Sequence, residues 1–502
     1  MRGGLSLAGV VLLGAALRLY PIWFGLPYPQ ARPDETTVLG HAAAILGGDP
    51  NPHFFNWPSL TFYLLAGVFG AARWIGGTVD AAGYTLLARG CVALAGTATI
   101  LVLARLARRV ARDDATAVVA ALLLAVAVLH VRESHFAMTD ALMTLLATGC
   151  LALLIEAAEG GPSRLFVLAG LAGGLATSTK YSAAVLLVAV LAMRCGWRAR
   201  VLFASAFCAG FLAGTPYAAL DFSTFRDDVL FERAHLAAGH GGFRAGPGWI
   251  YHLTRSLPYG LGLTTFAAAI AGLVPLWIRH RREALPVSVF ALVFFLAIGS
   301  GRTVFFRYIL PLVPLACLSA AVAIRTLAVW AAPKLRIGPT VATAVLAIAV
   351  AAPPLAGSVA MDRVLARTDT RVLAAEWLAA RLRPEDTLHD AGGEYARLNL
   401  GRTPFHEWRY DAAARQFVNA GAMVPGWLVL YDYAAPLRHY TPTDPALRAL
   451  AQARYTLAHE VMGMRDSGGS VFDREDAFFL PIHGFSGVER PGPNVAIYRM
   501  VQ

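Results

Sequence analysis

Charge is what this 502-residue chain has least of: 15% of its residues are Asp, Glu, Lys or Arg, against 57% hydrophobic ones. The apolar residues also come in long blocks, which excludes a soluble globular domain and indicates a multi-spanning membrane protein. Lysine is nearly absent, Lys180 and Lys334 being the only two. Cysteine is scarce and unpatterned. Cys91, Cys150, Cys195, Cys208 and Cys317 lie in or beside apolar segments without CxxC spacing, so neither a disulfide framework nor a zinc site is indicated. Nucleotide fingerprints are missing too: Gly392-Gly393 and Gly468-Gly469 lack the strand, spacing and helix start of a phosphate-binding loop and read as turns. No HxxxH or HExxH spacing joins His41 or His53 to the carboxylates near them, so both read as hydrogen-bonded interfacial histidines rather than metal ligands.

What the chain does have is a formal charge of +11. Most of the excess sits in short clusters between apolar blocks, such as Arg105 to Arg112 and Arg279 to Arg282. That is the bias of cytoplasmic loops, and it needs no nucleic acid as partner. Residues 5–24 read as an uncleaved first span with Arg2 on its cytoplasmic side. The segment 58–77 is the ambiguous one. Counted as a span it would put Arg105 to Arg112, Arg194 to Arg200 and Arg279 to Arg282 outside, against the bias; read as an interfacial or re-entrant helix it puts all three inside. Further spans are expected at 82–104, 115–131, 139–157, 165–179, 182–196, 201–218, 251–278, 285–299, 308–328 and 338–358. With the first, this gives about eleven, and an odd number sends the C-terminal region to the side opposite the N-terminus. The expected outer loops are 25–81, 132–138, a turn near Lys180, 219–250 and 300–307. Residues 1–358 are thus expected to form a polytopic membrane domain. Residues 359–502, with helical periodicity at 370–383 and β-rich runs at 427–433, 455–461 and 495–499, are expected to form a small extracytoplasmic α/β domain.

Under this topology ionisable residues gather at the outer face. Asp34 and Glu35 follow Pro33; Arg132, Glu133, His135 and Asp140 share one turn; Lys180-Tyr181 and then Arg302, Arg307 and Tyr308 follow. Charged groups at a membrane are costly, so they are either paired or functional. Taken alone, Asp34 and Glu35 read first as the acidic first turn of an interfacial helix; the alternative is Asp34 as a general base at the edge of the apolar phase. Asp140 reads as a first-turn acid after Thr139 or as a substrate contact. A compact ammonium at Lys180, in a chain that otherwise uses arginine, suits a phosphate, although snorkelling accounts for it too. Arg18 and Arg89, inside spans, read as structurally paired.

Taken in order, the outer-loop pair Asp34-Glu35, the stretch NPHFFNWPSLTFYLLAGVFG, the turn ESHFAMTDAL, GLATSTKYSAAVLL and FFRYILPLVPL resemble membrane glycosyltransferases of the type C fold. Within these the resemblance is to family 39, that of protein O-mannosyltransferases and the lipid A aminoarabinose transferase. It covers residues 1–330 well and the C-terminal region only in general position. It implies a sugar donor linked through one phosphate to a polyprenol, an extracytoplasmic acceptor, a cell-membrane location, and Asp34 as the catalytic acid that takes the acceptor's proton. Glu35 is implied as its support. Direct displacement by one base implies inversion at the anomeric carbon. Cations must then meet the charge that develops on the departing phosphate, which points to Lys180, Arg302 and Arg307, with Tyr181 or Tyr308 as hydrogen-bond donors and Arg132, His135 and Asp140 as further substrate contacts. Side chains can supply that neutralisation, so no cofactor is required; a divalent metal is compatible with the reaction but not indicated. The contrasting readings are a transporter or flippase for a lipid-linked sugar, which would need charges spread through the midplane and internal repeats, and an inert envelope subunit that binds through its C-terminal part.

Overall fold

The computed structural model describes residues 6–28, 31–240, 246–393, 395–418, 423–433 and 442–501. The chain divides into two compact units. One comprises Met1–Ile22 and Thr37–Val359, the other Trp23–Thr36 and Ala360–Gln502.

The first unit is helical. Among the described residues, five helical stretches are long and apolar enough to cross a membrane: Ala81–Ala111, Asp140–Ala158, Leu263–Gly299, Phe306–Leu335 and Pro339–Ala379, the last of which continues past Val359 into the second unit's residues. Shorter apolar helices are Leu7–Leu19, Leu60–Gly76, Asp114–Val126, Arg164–Thr177 and Tyr181–Leu191. Asp80 and Asp113 start their helices by accepting bonds from Gly83 N (2.7 Å) and Thr116 N (2.9 Å), the side-chain caps that free N–H groups of a first turn need.

Several expected spans differ in the structure. The first is shorter, its helix being Leu7–Leu19, and Arg2 lies outside the described residues. The cluster Arg105 to Arg112 is not a loop: the Ala81–Ala111 helix runs through Ala111, because Arg105 and Arg109 pair with Glu156 on the neighbouring Asp140–Ala158 helix. The expected span 182–196 is a 3-10 turn, Tyr181–Val185, followed by the six-residue helix Leu186–Leu191. The spans expected at 251–278 and 285–299 meet in one helical stretch, Leu263–Gly299, bent at His280, whose φ of −129° and ψ of 25° are not helical. Finally, the expected loop 219–250 is largely helix, Phe222–Ala238, and residues 241–245 of it lie outside the described residues.

The second unit holds a mixed sheet of strands β1 (Thr387–Asp390), β2 (His406–Glu407), β5 (Trp427–Asp432), β6 (Tyr455–Val461) and β7 (Asn494–Met500), with a small ladder of β3 (Tyr410–Asp411) and β4 (Gln416–Phe417). The order is β2-β1-β5-β7-β6, with β1 parallel to β2 and β5, and β7 antiparallel to β5 and β6. Strand β5 shows why both faces are covered. Trp427, Val429 and Tyr431 pack with Ala374 and Leu378 of the Thr370–Ala379 helix, while Leu428 and Leu430 pack with Leu447 and Ala451 of the Pro445–Arg454 helix. Alternate side chains of one strand thereby bury against helices on opposite faces. Trp23–Thr36 belongs to this unit: Tyr28 and Ala31 pack on Val372, and the Tyr28 hydroxyl donates to Arg397 O at 2.8 Å. The glycine pairs are turns, with Gly392 N and Gly468 N bonded to the carboxylates of Asp390 and Asp466.

Candidate active site

Lys180 sits where the Arg164–Thr177 helix gives way to the 3-10 turn, its own backbone extended at φ −157°, ψ 127°. The break aims its side chain back at the start of the earlier helix Asp140–Ala158, where Nζ donates to Asp140 Oδ1 at 2.5 Å. Asp140 is the first residue of Asp140–Ala158, a favourable place for a negative charge. Its side chain is 1% exposed, and its second oxygen, Oδ2, is buried with no hydrogen-bond partner among the described residues. Nζ of Lys180 also lies 4.4 Å from the centroid of the Tyr308 ring, a cation–π contact. Tyr308 stands in the 3-10 segment Phe306–Leu312, against Phe305, and the guanidinium of the buried Arg307 is 4.2 Å from that same Phe305 ring.

A further helix, Phe222–Ala238, contributes groups that the sequence reading passed over. Burial raises the Glu232 carboxyl above its ordinary range, while His235, Lys180 and Arg307 oppose the rise. Glu232 thus joins the same electrostatic neighbourhood as the lysine. Asp228 on that helix accepts from Phe55 N at 2.6 Å, and the Tyr181 hydroxyl donates to Phe55 O at 2.7 Å. Tyr181 is therefore engaged in clamping the 54–56 segment. Thr303 and Arg302 tie to the same helix through His235 O and Leu236 O, but the Arg302 side chain is exposed.

Arg132 and His135 have local partners. Arg132 pairs with Glu133, both nearly fully buried, and His135 places its ring nitrogens 2.9 Å from Val131 O and 3.0 Å from Tyr20 O. His41 is sandwiched among Phe54 and Phe62, and His53 lies 3.3 Å from Asp49. In the second unit, Asp34 and Glu35 stand in the first turn of the Pro33–Leu46 helix, with Pro33 at its start. Asp34 is 32% exposed and lies 3.8 Å from the guanidinium of Arg32, which also pairs with Asp476; Glu35 is 2% exposed.

Residues 84–214, which hold Asp140, Lys180 and Tyr181, match the family model described as dolichyl-phosphate-mannose-protein mannosyltransferase. ArnT from Cupriavidus metallidurans in the apo state is 17% identical, with a TM-score of 0.55 over 98% of each chain. The same protein bound to undecaprenyl phosphate is 16% identical with the same score and coverage. The chain has the type C glycosyltransferase fold. The Archaeoglobus fulgidus oligosaccharyltransferase in the apo form is similar as well, at 15% identity and a TM-score of 0.52 over 79% of this chain. The chain spans 60% of that enzyme's length. No curated protein matches by sequence.

Proposed function

We propose that this type C chain is an integral-membrane glycosyltransferase that moves a sugar from a polyprenyl-phosphate donor to an acceptor on the extracytoplasmic side. The observation that carries this reading is Lys180, held by Asp140 against the Tyr308 ring, with Arg307 and Glu232 beside it. The undecaprenyl phosphate bound to the Cupriavidus relative supports the donor's lipid class.

In this mechanism Asp34 takes the proton of the acceptor hydroxyl as its oxygen attacks the anomeric carbon. The bond from that carbon to the phosphate oxygen breaks, and polyprenyl phosphate leaves with the electron pair. Attack opposite to the leaving group inverts the anomeric centre. Exposure separates the two acids: Asp34 can meet an acceptor, whereas the buried Glu35 has the supporting role of orienting Asp34 or pairing with a nearby arginine. Lys180 and Arg307 meet the charge on the leaving phosphate, with Arg302 as an exposed third cation and Tyr308 flanking it. His135 and Tyr181 tie neighbouring segments through Tyr20 O and Phe55 O, and Arg132 is paired with Glu133.

The test is Asp34→Asn at normal membrane levels. A positioned base contributes about 10²–10⁴ in rate, so transfer, read by mass spectrometry of envelope glycans and glycoproteins against a deletion strain, should fall by that range. Unchanged transfer rejects Asp34 as the base.

A further inference from the structure

At the other end of the Asp140–Ala158 helix lies a cavity of about 510 Å³. The end of this helix, the residues after Leu186–Leu191 and the bend at His280 form its walls. Arg112, Arg194, Arg281, Arg282, Glu159 and Glu283 supply its charge.

The two acids are already occupied. Arg112 lies 2.9 Å from Glu283 and 3.3 Å from Glu159, and Arg109 lies 3.5 Å from Glu159. The side chains of Arg194, Arg281 and Arg282 have neither an ion pair nor a hydrogen bond among the described residues, and all three are exposed. Three unneutralised guanidiniums around one space present planar N–H forks of the kind that phosphate oxygens accept. The rest of the wall is apolar: Met193, Leu285, Pro286 and Trp277, the last 49% exposed at the cavity's edge. Cations beside an aromatic and aliphatic surface, at the end of membrane-crossing helices, match a molecule with an anionic head and hydrocarbon tails.

We infer that this cavity binds the phosphate headgroup of an anionic phospholipid from the leaflet at the basic end of the bundle, with the acyl chains along Trp277 and Leu285. Its occupant would brace the bend at His280, because Arg281 and Arg282 follow it directly. This site is separate from the Lys180 cluster and does not depend on the proposed transfer reaction.

The test uses the purified full chain in neutral detergent and native mass spectrometry with phosphatidylglycerol or phosphatidylcholine added. The wild type should retain phosphatidylglycerol in preference to phosphatidylcholine. A juxtamembrane arginine contributes about fivefold, so Arg281→Gln alone should lower retention about fivefold and the Arg194→Gln/Arg281→Gln/Arg282→Gln variant about a hundredfold. The single variant removes an exposed, unpartnered side chain, so it keeps the test valid if the triple variant misfolds. Arg198→Gln, on the Trp197 ring and outside the cavity, should retain lipid as the wild type does. Equal retention of both lipids, or undiminished retention by Arg281→Gln, overturns the proposal. So does displacement of the lipid by millimolar inorganic phosphate, which would make free phosphate the ligand.

Discussion

Lys180 is both the counter-ion of a buried carboxylate and the cation assigned to the leaving phosphate, and substitutions can separate the two roles. Asp140 is 1% exposed and the Lys180 side chain 18%. Lys180→Met leaves an uncompensated buried charge, which costs about 3–5 kcal/mol, and should lower the thermal midpoint in detergent. On the proposed mechanism it also removes a donor from the place where charge develops, worth about 3 kcal/mol of barrier or a hundredfold in transfer rate. Adding Asp140→Asn should restore the midpoint but not the rate. Recovery of both would make Lys180 a structural counter-ion only. Lys180 stood out in the sequence because a single ammonium at a membrane edge is rare in an arginine-using chain. Glu232 and Asp228 did not stand out, since FSTFRDDVLFERAHLAA has no apolar stripe and reads as a polar loop. Their spacing of four, which places both on one face of a helix, was the only signal available.

At the scale of elements, hydrophobic blocks mark where helices run, but not where they break. A broken helix and a continuous one bury the same residues, so the break at Ala127 is invisible in LLLAVAVLHV. Its cause is visible in three dimensions. The Asp114–Val126 helix ends with carbonyls that the interrupted ladder leaves short of partners, and Arg18 donates to Leu124 O at 2.9 Å and Ala125 O at 3.0 Å, while Ser358 donates to Val126 O at 3.0 Å. Arg18 is thus paired as the sequence suggested, with the carbonyls of an interrupted helix among its partners. Close helix packing gives the prediction at this scale. The Arg164–Thr177 and Trp197–Gly214 helices meet through glycines four apart: a Cβ at Gly174 would lie 2.0 Å from Phe207 O, and one at Gly170 2.3 Å from Phe203 O. Backbone cannot yield as a side chain can, so Gly174→Ala must part the helices, at a cost of about 1–3 kcal/mol. Gly149→Ala, with nothing within 4 Å of its added Cβ, should be neutral or gain up to about 1 kcal/mol from helix propensity. Thermal unfolding in detergent that treats both alike would refute the close contact.

For the whole molecule, the first unit is polar along its helices, and one helix shows it. Asp140 begins a 19-residue helix whose far end carries the Glu156 that pairs with Arg105 and Arg109. Nineteen residues span about 28 Å, close to the hydrocarbon thickness of about 30 Å. The Lys180 cluster and the arginine cavity therefore lie about one membrane apart. Arg112, Arg194, Arg281 and Arg282 line that one cavity, so three basic segments distant in sequence share a single end. Positive charge is generally retained on the cytoplasmic side, so the expectation is that this end faces inside and the Asp140 end outside. The Ala81–Ala111 helix, about 46 Å long, has Asp80 and Arg112 at its two ends and offers the measurement. In a chain with its five cysteines replaced, Thr78→Cys should react with an impermeant thiol reagent in intact cells, and Arg108→Cys only after permeabilisation. The opposite pattern would make Leu60–Gly76 a membrane crossing rather than an interfacial helix. It would also carry every basic cluster outward and place the Asp140–Lys180 pair on the cytoplasmic face, away from any extracytoplasmic acceptor.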